Sequence, residues 1–224
     1  MARGRAIDYT QPVIIDIISD VVCPWCFIGK RRLERALAVR PDLDVEVVWR
    51  AFQLNPDMPP EGMERAQYLA AKFGSDANAG RIYAEIEKAG AGEGIDFAFD
   101  RIHRTPNTVD AHRLIRFAGE QGRQDRLVEL LFRRYFEQGV DIGEHERLVE
   151  AAAEADLDAE TVRAHLASDV GVDAVRVEDL QARRLGVSGV PCFVIDRRFA
   201  ISGAQAPEVF RRVFETAEHA LATA

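Results

Sequence analysis

The segment that decides the fold is PVIIDIISDVVCPWCFIGKRRLERAL, residues 12–37, which contains a Cys-Pro-Trp-Cys motif at positions 23–26. Residues 12–20 form a β-branched run bounded by a proline and a turn, as in a strand, and residues 27–37 have the pattern of a helix. We therefore expect the motif to lie where a strand ends and a helix begins. Unpaired backbone N–H groups and the positive end of the helix dipole meet at such a point, and they stabilise a thiolate on the first cysteine.

The two cysteines of the motif have different expected roles. Cys23, at the helix start, is the expected nucleophile. Cys26, one turn further along, is the expected resolving thiol that attacks the mixed disulfide formed by Cys23. Pro24 at the first helical position costs no hydrogen bond. Because the Pro24–Trp25 spacer carries no charge, the thiolate depends chiefly on the helix N-terminus.

A structural zinc half-site is the main alternative for paired cysteines. A zinc site would need two more ligands, and the chain has only one further cysteine, Cys192, and five histidines, none in a paired ligand spacing. We therefore expect no metal. Two buried cysteines with no shared chemistry are a weaker alternative, because the motif lies between a strand and a helix, as redox chemistry requires.

Composition and charge exclude several classes of partner. A formal net charge of -8 over 224 residues, with arginines interleaved among Asp and Glu, argues against nucleic acid, which recruits basic surface. Residues 1–11 predict a loose arm without a secretory signal, and no apolar run approaches membrane-spanning length. The expected location is therefore the cytoplasm, with no membrane partner, where a paired CxxC is more often catalytic than structural.

The order of predicted elements describes an α/β core with a helical insertion. After the first helix, stopped by Pro41, residues 44–52 alternate as a second strand that a right-handed crossover places parallel to the first. Three prolines within residues 52–60 break regular structure and fit a domain junction. From there to Gly186 the periodicity is helical almost throughout. The predicted helices cover 24–39, 63–73, 78–89, 107–121, 124–138, 144–155, 159–167 and 172–185.

The chain returns to the core near its end. Residues 189–195 and 198–202 predict an antiparallel hairpin at the sheet edge, and Pro207 opens a final helix. Helix ends are marked by a capping box of Asn107 with Asp110, by an N-cap at Asp158 and by a C-cap at Gly186.

Together these features resemble the FrnE-type branch of the DsbA family. The resemblance implies an α/β thioredoxin fold of the DsbA-like kind, with residues 1–60 and 172–224 as the thioredoxin-like domain and 61–171 as an inserted all-helical domain. The glutathione-using 2-hydroxychromene-2-carboxylate isomerases and kappa-class glutathione transferases share this architecture. The blocks that carry the resemblance are 20–29 (DVVCPWCFIG), 52–56 (FQLNP), 106–114 (PNTVDAHRL), 186–191 (GVSGVP) and 201–205 (ISGAQ).

The resemblance also implies two further features of the site. The peptide bond between Val190 and Pro191 is expected to be cis and to lie beside the motif, where its backbone can pair with a bound thiol or peptide. The loop that matches Asn55 borders the glutathione site in the related enzymes. Taken alone, Asn55 is most simply a turn residue, and Pro191 a trans proline that starts an edge strand.

Several other residues have a plain structural interpretation. Cys192 departs from the family pattern, which has no cysteine after the cis-proline; we expect it to pack in the core rather than take part in redox chemistry, although it would form an alternative disulfide if it faced Cys23. His112 is expected to hydrogen-bond locally. Arg31, Arg32 and Arg113 are expected on solvated helix faces.

The predicted function is thiol–disulfide exchange. The CPWC pair would reduce, form or isomerise disulfides through a mixed disulfide, with no bound cofactor and with glutathione or a protein thiol as redox partner. The substrate would be a disulfide-containing protein or a small thiol, and the protein a monomer or homodimer. A glutathione-dependent isomerase or transferase is the alternative, although those enzymes typically have serine where this chain has Cys23. A binding module that covers a substrate in a groove between the two halves is a third hypothesis.

Overall fold

The computed structural model describes residues 12–74 and 76–222. Its strands are β1 (Val13–Ser19), β2 (Val45–Ala51), β3 (Met63–Glu64), β4 (Arg104–Thr105), β5 (Cys192–Ile195) and β6 (Phe199–Ser202). Its helices are α1 (Pro24–Ala38), α2 (Arg65–Phe73), α3 (Asp76–Ala91), α4 (Val109–Gly119), α5 (Gln124–Phe136), α6 (His145–Glu154), α7 (Ala159–Leu166), α8 (Val172–Arg184) and α9 (Pro207–Ala222). A short 3-10 helix spans Phe99–Arg101.

The main sheet has four strands in the order β2-β1-β5-β6. β1 pairs in parallel with β2 along its whole length, and antiparallel with β5, so it is an interior strand as its apolar run predicts. β5 and β6 form the predicted hairpin, in which β6 is the edge strand and β5 lies inside the sheet. The α/β thioredoxin fold class expected from the sequence is therefore confirmed.

One hydrophobic cluster joins the sheet to the helices. The Phe27 ring of α1 stacks on Phe132 of α5 with 5.2 Å between centroids, and Phe132 meets Trp49 of β2 edge-on at 6.0 Å. Aromatic pairs of this kind contribute about 0.5–1.5 kcal/mol each beyond the area that they bury. The helical segment is thus anchored on the helix that carries the CPWC motif. The division into domains at residues 61–171 stays a prediction.

Helix boundaries agree with the sequence to within a few residues, with one added element. The helix expected at residue 63 begins at Arg65, because Met63 and Glu64 pair with Thr105 and Arg104 in a small antiparallel sheet. Glu64 then caps α2 by accepting hydrogen bonds from the backbone N–H groups of its first turn. Two-residue strands have no detectable period, which is why the pattern missed them. The predicted N-terminal arm lies outside the described residues.

The predicted helix ends are partly right. Asp158 caps α7 by accepting a 2.9 Å hydrogen bond from the backbone N–H of Thr161, as expected. Gly186 has the left-handed conformation expected just after a helix, with φ +89°. The C-cap of α8, however, is Leu185, one residue before the predicted position. Asn107 accepts from the N–H of Val109, but the rest of the capping box is wrong. The carboxylate of Asp110 binds Arg113 and His145 instead.

Arg113 contradicts the prediction of a solvated helix face. It is 3 % exposed, and its guanidinium donates to the backbone carbonyls of Val170 and His165 at 2.8 Å each and to that of Ser168. Those carbonyls lie in and just after the last turn of α7, where backbone carbonyls have no N–H donor within the helix. Arg113 therefore holds α4 against the end of α7 and the chain that leads into α8.

Arg31 and Arg32 are also less solvated than predicted. The side chains are 24 % and 21 % exposed and form ion pairs between elements. Arg31 binds Glu129 of α5. Arg32 donates to Glu93 at 2.8 Å, beyond the end of α3. Both arginines thus tie α1 to the helical segment.

Within residues 12–74 and 76–222, none of the helices combines the length and the apolar character needed to span a bilayer.

Candidate active site

The CPWC motif lies where β1 passes into α1, as the sequence predicts. Cys23 is the N-cap of α1, with φ −97° and ψ 111°, and Pro24 is the first helical residue. The backbone N–H of Cys23 donates to the carbonyl of Asp20 at 3.0 Å, and that of Cys26 donates to the carbonyl of Cys23 at 3.0 Å. The chain therefore turns tightly at the end of β1, and the Cys23 sulfur stands at the positive end of the helix dipole.

The two thiols differ in their surroundings. Both are free, Cys26 is 1 % exposed, and the adjacent Trp25 is 37 % exposed. Burial, and then the neighbouring Cys23 thiol, raise the pKa of Cys26 well above its ordinary value of 9.0. Cys26 is thus held as a neutral thiol behind Cys23, and the exposed Trp25 ring marks the side of the motif that faces solvent.

A loop from the far end of the chain contacts Cys23. The Val190–Pro191 peptide bond is cis, as the resemblance implies, and the Cys23 sulfur lies 3.5 Å from the Val190 carbonyl oxygen. The Pro191 carbonyl accepts a 2.8 Å hydrogen bond from the N–H of Gly203, which fixes the loop against the end of β6. The structure therefore brings Val190 and Pro191 beside the motif, so that six of the predicted site residues lie together: Cys23, Pro24, Trp25, Cys26, Val190 and Pro191.

Gly29 allows this close approach. A Cβ atom at Gly29 would stand 2.9 Å from Cγ of Pro191, closer than real Cβ atoms come, and 3.0 Å from Cζ of Phe193, which is tighter than most real Cβ contacts. A glycine in the middle of α1 costs helix stability, by roughly 0.5–1 kcal/mol relative to alanine. Here the missing side chain makes room for the proline ring beside the motif.

A Gly29→Ala variant is expected to be destabilised despite its better helix propensity. Overpacking costs about 1–3 kcal/mol, more than the gain in propensity of about 1 kcal/mol. Displacement of the Pro191 loop should also slow disulfide exchange at Cys23 on the order of 10-fold. Denaturant unfolding and the rate of disulfide exchange measure the two effects. Gly80→Ala in α3 is the matched control, since a Cβ there meets nothing within 4 Å, and it should be neutral or stabilising; equal behaviour of the two variants would contradict the steric argument.

Asn55 contacts the helical segment. Its side-chain amide donates to the Tyr68 hydroxyl of α2 at 3.5 Å, a long hydrogen bond. Its suggested role at a glutathione site stays a prediction.

An arginine–tyrosine pair in the helical segment was missed by the sequence analysis. Arg65 is 8 % exposed and donates to the Tyr83 hydroxyl at 2.7 Å and to Thr105 at 2.9 Å. Burial raises the pKa of Tyr83, and the charge of a Cys23 thiolate is close enough to add to that rise. Nothing in the helical periodicity singles out Arg65 or Tyr83, because only the tertiary fold brings α2, α3 and β4 together.

His112 of α4 lies against the turn that precedes the motif. Its ring is 3 % exposed, and Nε2 lies 3.4 Å from Oδ1 of Asp20, which is fully buried. The other oxygen of Asp20 accepts a 2.8 Å hydrogen bond from the N–H of Leu54. The Nε2 side of the ring therefore faces the turn that precedes Cys23, and the expected local hydrogen bond of His112 stays a prediction.

Cys192 packs in the core, as predicted. It is 7 % exposed and belongs to a small cluster with Ile18, Phe52 and Ala182, whereas Cys23 and Cys26 pack in the main cluster with Phe193. Successive residues of a strand point to opposite faces, so Cys192 lies on the face of the sheet away from the CPWC motif. Burial raises the pKa of Cys192, as suits an inert structural thiol.

The described part of the chain has no group of three or more His, Cys, Asp or Glu side chains that could hold a metal ion.

Comparison with known proteins agrees with this geometry. A probable DsbA oxidoreductase from Streptomyces coelicolor is 39 % identical, with a TM-score of 0.85 over 92 % of this chain and 90 % of that one. The 2-hydroxychromene-2-carboxylate isomerase structure is 15 % identical (TM-score 0.68; 93 % and 95 % covered). The cytosolic disulfide reductase DsbM from Pseudomonas aeruginosa with GSH is 21 % identical (TM-score 0.62; 92 % and 99 % covered). The last two show the fold alone. The model of the DSBA-like thioredoxin domain matches residues 14–215, and this chain belongs to that family.

Proposed function

We propose that this protein is a thiol–disulfide oxidoreductase that acts through Cys23 and Cys26. The observation that carries the proposal is a pair of free thiols one helical turn apart, with the first at the N-terminus of α1 and against the Val190 carbonyl. Membership of a family of DsbA-like proteins supports the reaction class. The direction of exchange follows from the reduction potential of the pair against that of its thiol pool.

The first step is attack by Cys23 on a substrate disulfide. The Cys23 thiolate forms a bond to one substrate sulfur while the other leaves as a thiolate, and the helix N-terminus stabilises the negative charge before attack. The backbone of the Val190–Pro191 loop lies against the Cys23 sulfur, so an extended substrate segment would arrive beside it. Trp25, exposed next to the motif, offers an apolar surface to the same substrate.

The second step is attack by Cys26 on the mixed disulfide. A bond forms between the sulfurs of Cys26 and Cys23, the substrate leaves as its thiolate, and the enzyme pair ends oxidised; the reverse sequence introduces a disulfide into a substrate. Because its pKa is raised by burial, Cys26 stays protonated at neutral pH and does not compete with Cys23 for substrate. It must lose its proton before or during the second step.

Glutathione or a protein thiol is the proposed redox partner, and no bound cofactor is required. The similarity in fold to a disulfide reductase determined with GSH supports glutathione as the small thiol. A monomer or homodimer in the cytoplasm remains the prediction.

A glutathione-dependent isomerase of the same architecture would use the first motif position to hold the glutathione sulfur and would need no second thiol. Cys26, packed directly behind Cys23, has no task in that reaction. Its presence favours the oxidoreductase.

Trapping of the intermediate tests the proposal. A Cys26→Ser variant mixed with oxidised glutathione should accumulate a stable mixed disulfide on Cys23, because no thiol remains behind it to release glutathione. Mass spectrometry of the alkylated, digested protein locates the adduct. The wild-type protein under the same conditions should instead end with a Cys23–Cys26 disulfide. No adduct at Cys23, or wild-type protein whose two thiols stay free, would contradict the oxidoreductase.

A further inference from the structure

A cavity lies on the face of the main sheet opposite the CPWC motif. Its volume is about 530 Å³, within the range of roughly 300–1,000 Å³ that is typical of small-molecule sites. Three neighbouring strands form its floor with the side chains of Ile18 in β1, Cys192 and Val194 in β5, and Ala200 in β6. The strand register places these side chains on one face, since Ile18 is opposite Cys192 and Val194 is opposite Ala200. The floor is therefore a continuous apolar surface.

The side wall of the cavity comes from α8 and the residues that follow it. α8 packs on β2, and its Ala182 joins Ile18 and Cys192 in the small hydrophobic cluster. Leu185 and Val187, just past the end of the helix, continue the wall. Leu185 is 82 % exposed, so most of its apolar surface remains free to be covered by a ligand in the cavity.

The charged side chains at the cavity leave one positive charge without a partner. Arg50 binds Asp16 at 2.6 Å and lies 3.9 Å from Glu178. Glu178 also binds Arg116 of α4. Arg197 is exposed at the edge of the cavity, and no residue among 12–74 and 76–222 forms an ion pair with it. The cavity thus combines an apolar floor with one unpaired guanidinium.

The turn between β5 and β6 holds Arg197 in this position. The Asp196 carboxylate accepts a 2.9 Å hydrogen bond from the N–H of Ile14, and the N–H of Asp196 donates to the Ile14 carbonyl at 2.9 Å. Asp196 and Arg197 both have left-handed backbones, with φ +49° and +56°. That conformation costs a residue other than glycine about 1–2 kcal/mol. Because glycine would suit the turn better than arginine, we explain Arg197 by the position of its side chain at the cavity.

We propose that this cavity binds a free carboxylate with an apolar chain, such as a medium-chain fatty acid, with the chain on the apolar floor and the carboxylate paired with Arg197. Burial of the chain against the floor releases water from apolar surface on both partners. The planar guanidinium of arginine matches the two oxygens of a carboxylate. The site lies away from the redox motif, and the inference does not depend on the proposed function.

The other possible occupants fit the charges less well. A cationic ligand would find no free carboxylate on the described walls, because Asp16 and Glu178 are both paired with arginines. The formal net charge of -8 makes the chain repel a second copy of itself and the anionic surface of a membrane. A small anion with an apolar chain needs only the local charge of Arg197.

Alkylation of Cys192 in the native protein tests the site, because this thiol is part of the floor. Wild-type protein is treated with iodoacetamide, with and without dodecanoate below its micelle concentration, and mass spectrometry of the digest follows Cys192 alone. The ligand must leave before the thiol reacts. Dodecanoate at about ten times its dissociation constant, measured by calorimetry, should therefore slow the modification about 10-fold. Dodecyltrimethylammonium has the same chain but the opposite charge, and it should bind at least about 10-fold more weakly.

Three variants separate the contribution of the charge from that of the cavity. Arg197→Gln should weaken dodecanoate binding about 5-fold and should not weaken that of dodecyltrimethylammonium. Ala200→Phe fills the cavity from an exposed position on β6, where an aromatic residue suits a strand, and should weaken dodecanoate binding on the order of 100-fold. Arg198→Gln is the matched control. Arg198 is the next residue along the chain, but its guanidinium lies over the Phe199 ring, so dodecanoate should keep its wild-type affinity.

Several results would overturn the proposal. They are no binding of dodecanoate, equal binding of the two amphiphiles, equal losses in Arg197→Gln and Arg198→Gln, and binding that leaves the alkylation of Cys192 unchanged or survives Ala200→Phe. Protection of Cys192 that grows with protein concentration in the absence of ligand, with a dimer in sedimentation velocity, would instead show that this face is an interface between two copies. None of these results alters the expectation for disulfide exchange at Cys23.

Discussion

Cys23→Ser is expected to lose disulfide exchange by on the order of 1,000-fold or more. A serine hydroxyl is not ionised at neutral pH, and its oxygen cannot form the mixed disulfide through which both half-reactions pass. The substitution removes one sulfur at the helix N-cap, and serine is itself a favoured N-cap residue, so the fold should be kept. The measurement is the rate of insulin reduction with glutathione as electron donor, at equal concentrations of folded protein.

Cys192→Ala is the matched control for that result. Cys192 is the third buried thiol, but it packs on the opposite face of the sheet with Ile18 and Phe52, and its loss should leave the rate unchanged. A Cys23→Ser protein that retains the wild-type rate, or a Cys192→Ala protein that is as slow as Cys23→Ser, would contradict the assignment of Cys23 as nucleophile.

Arg113→Met is expected to have the largest effect on stability among the buried polar groups. The substitution keeps most of the aliphatic stem but removes the hydrogen bonds to the carbonyls of Val170, His165 and Ser168. The His165 carbonyl keeps Ser168 as a donor, whereas the carbonyls of Val170 and Ser168 lose the donor that the described residues give them. Each carbonyl costs about 1–3 kcal/mol if it stays buried and unpaired, and loss of one member of a buried polar network typically costs about 3–5 kcal/mol. We therefore expect the free energy of unfolding to fall by at least about 3 kcal/mol.

Denaturant unfolding of Arg113→Met and of Arg147→Met makes the comparison direct. Arg147 of α6 is 49 % exposed and its partners Glu144 and Glu150 lie on the surface, so its loss should cost about 1 kcal/mol or less. Equal losses for the two variants would show that Arg113 acts only as a surface charge, as its sequence pattern had suggested.

The sequence predicted the features that depend on neighbouring residues. The β-branched run before Cys23 and the helical pattern after it were enough to place the motif at the start of α1. The tendency of free cysteines to be buried likewise predicted that Cys192 would pack in the core. The cis bond at Pro191 came from the family resemblance, since the local sequence alone favours trans.

The features that sequence reasoning missed depend on contacts between distant segments. Arg113 has the spacing of an exposed residue on α4, and only the arrival of the α7–α8 connection some 50 residues later buries it. His112 meets Asp20 in the same way. No local periodicity indicates such a partner, which is why Arg113 was predicted to lie on a solvated helix face.

Cys23 and Cys26 are proposed to form a reversible redox pair. The most direct measurement is equilibration of the purified protein in buffers of varied reduced-to-oxidised glutathione ratio, followed by alkylation and mass mapping of the oxidised fraction. We expect a single two-electron transition in which the disulfide joins Cys23 to Cys26 while Cys192 stays reduced, with a midpoint that gives the potential of the pair. Cysteines that remain free at every ratio, or a disulfide that includes Cys192, would contradict it.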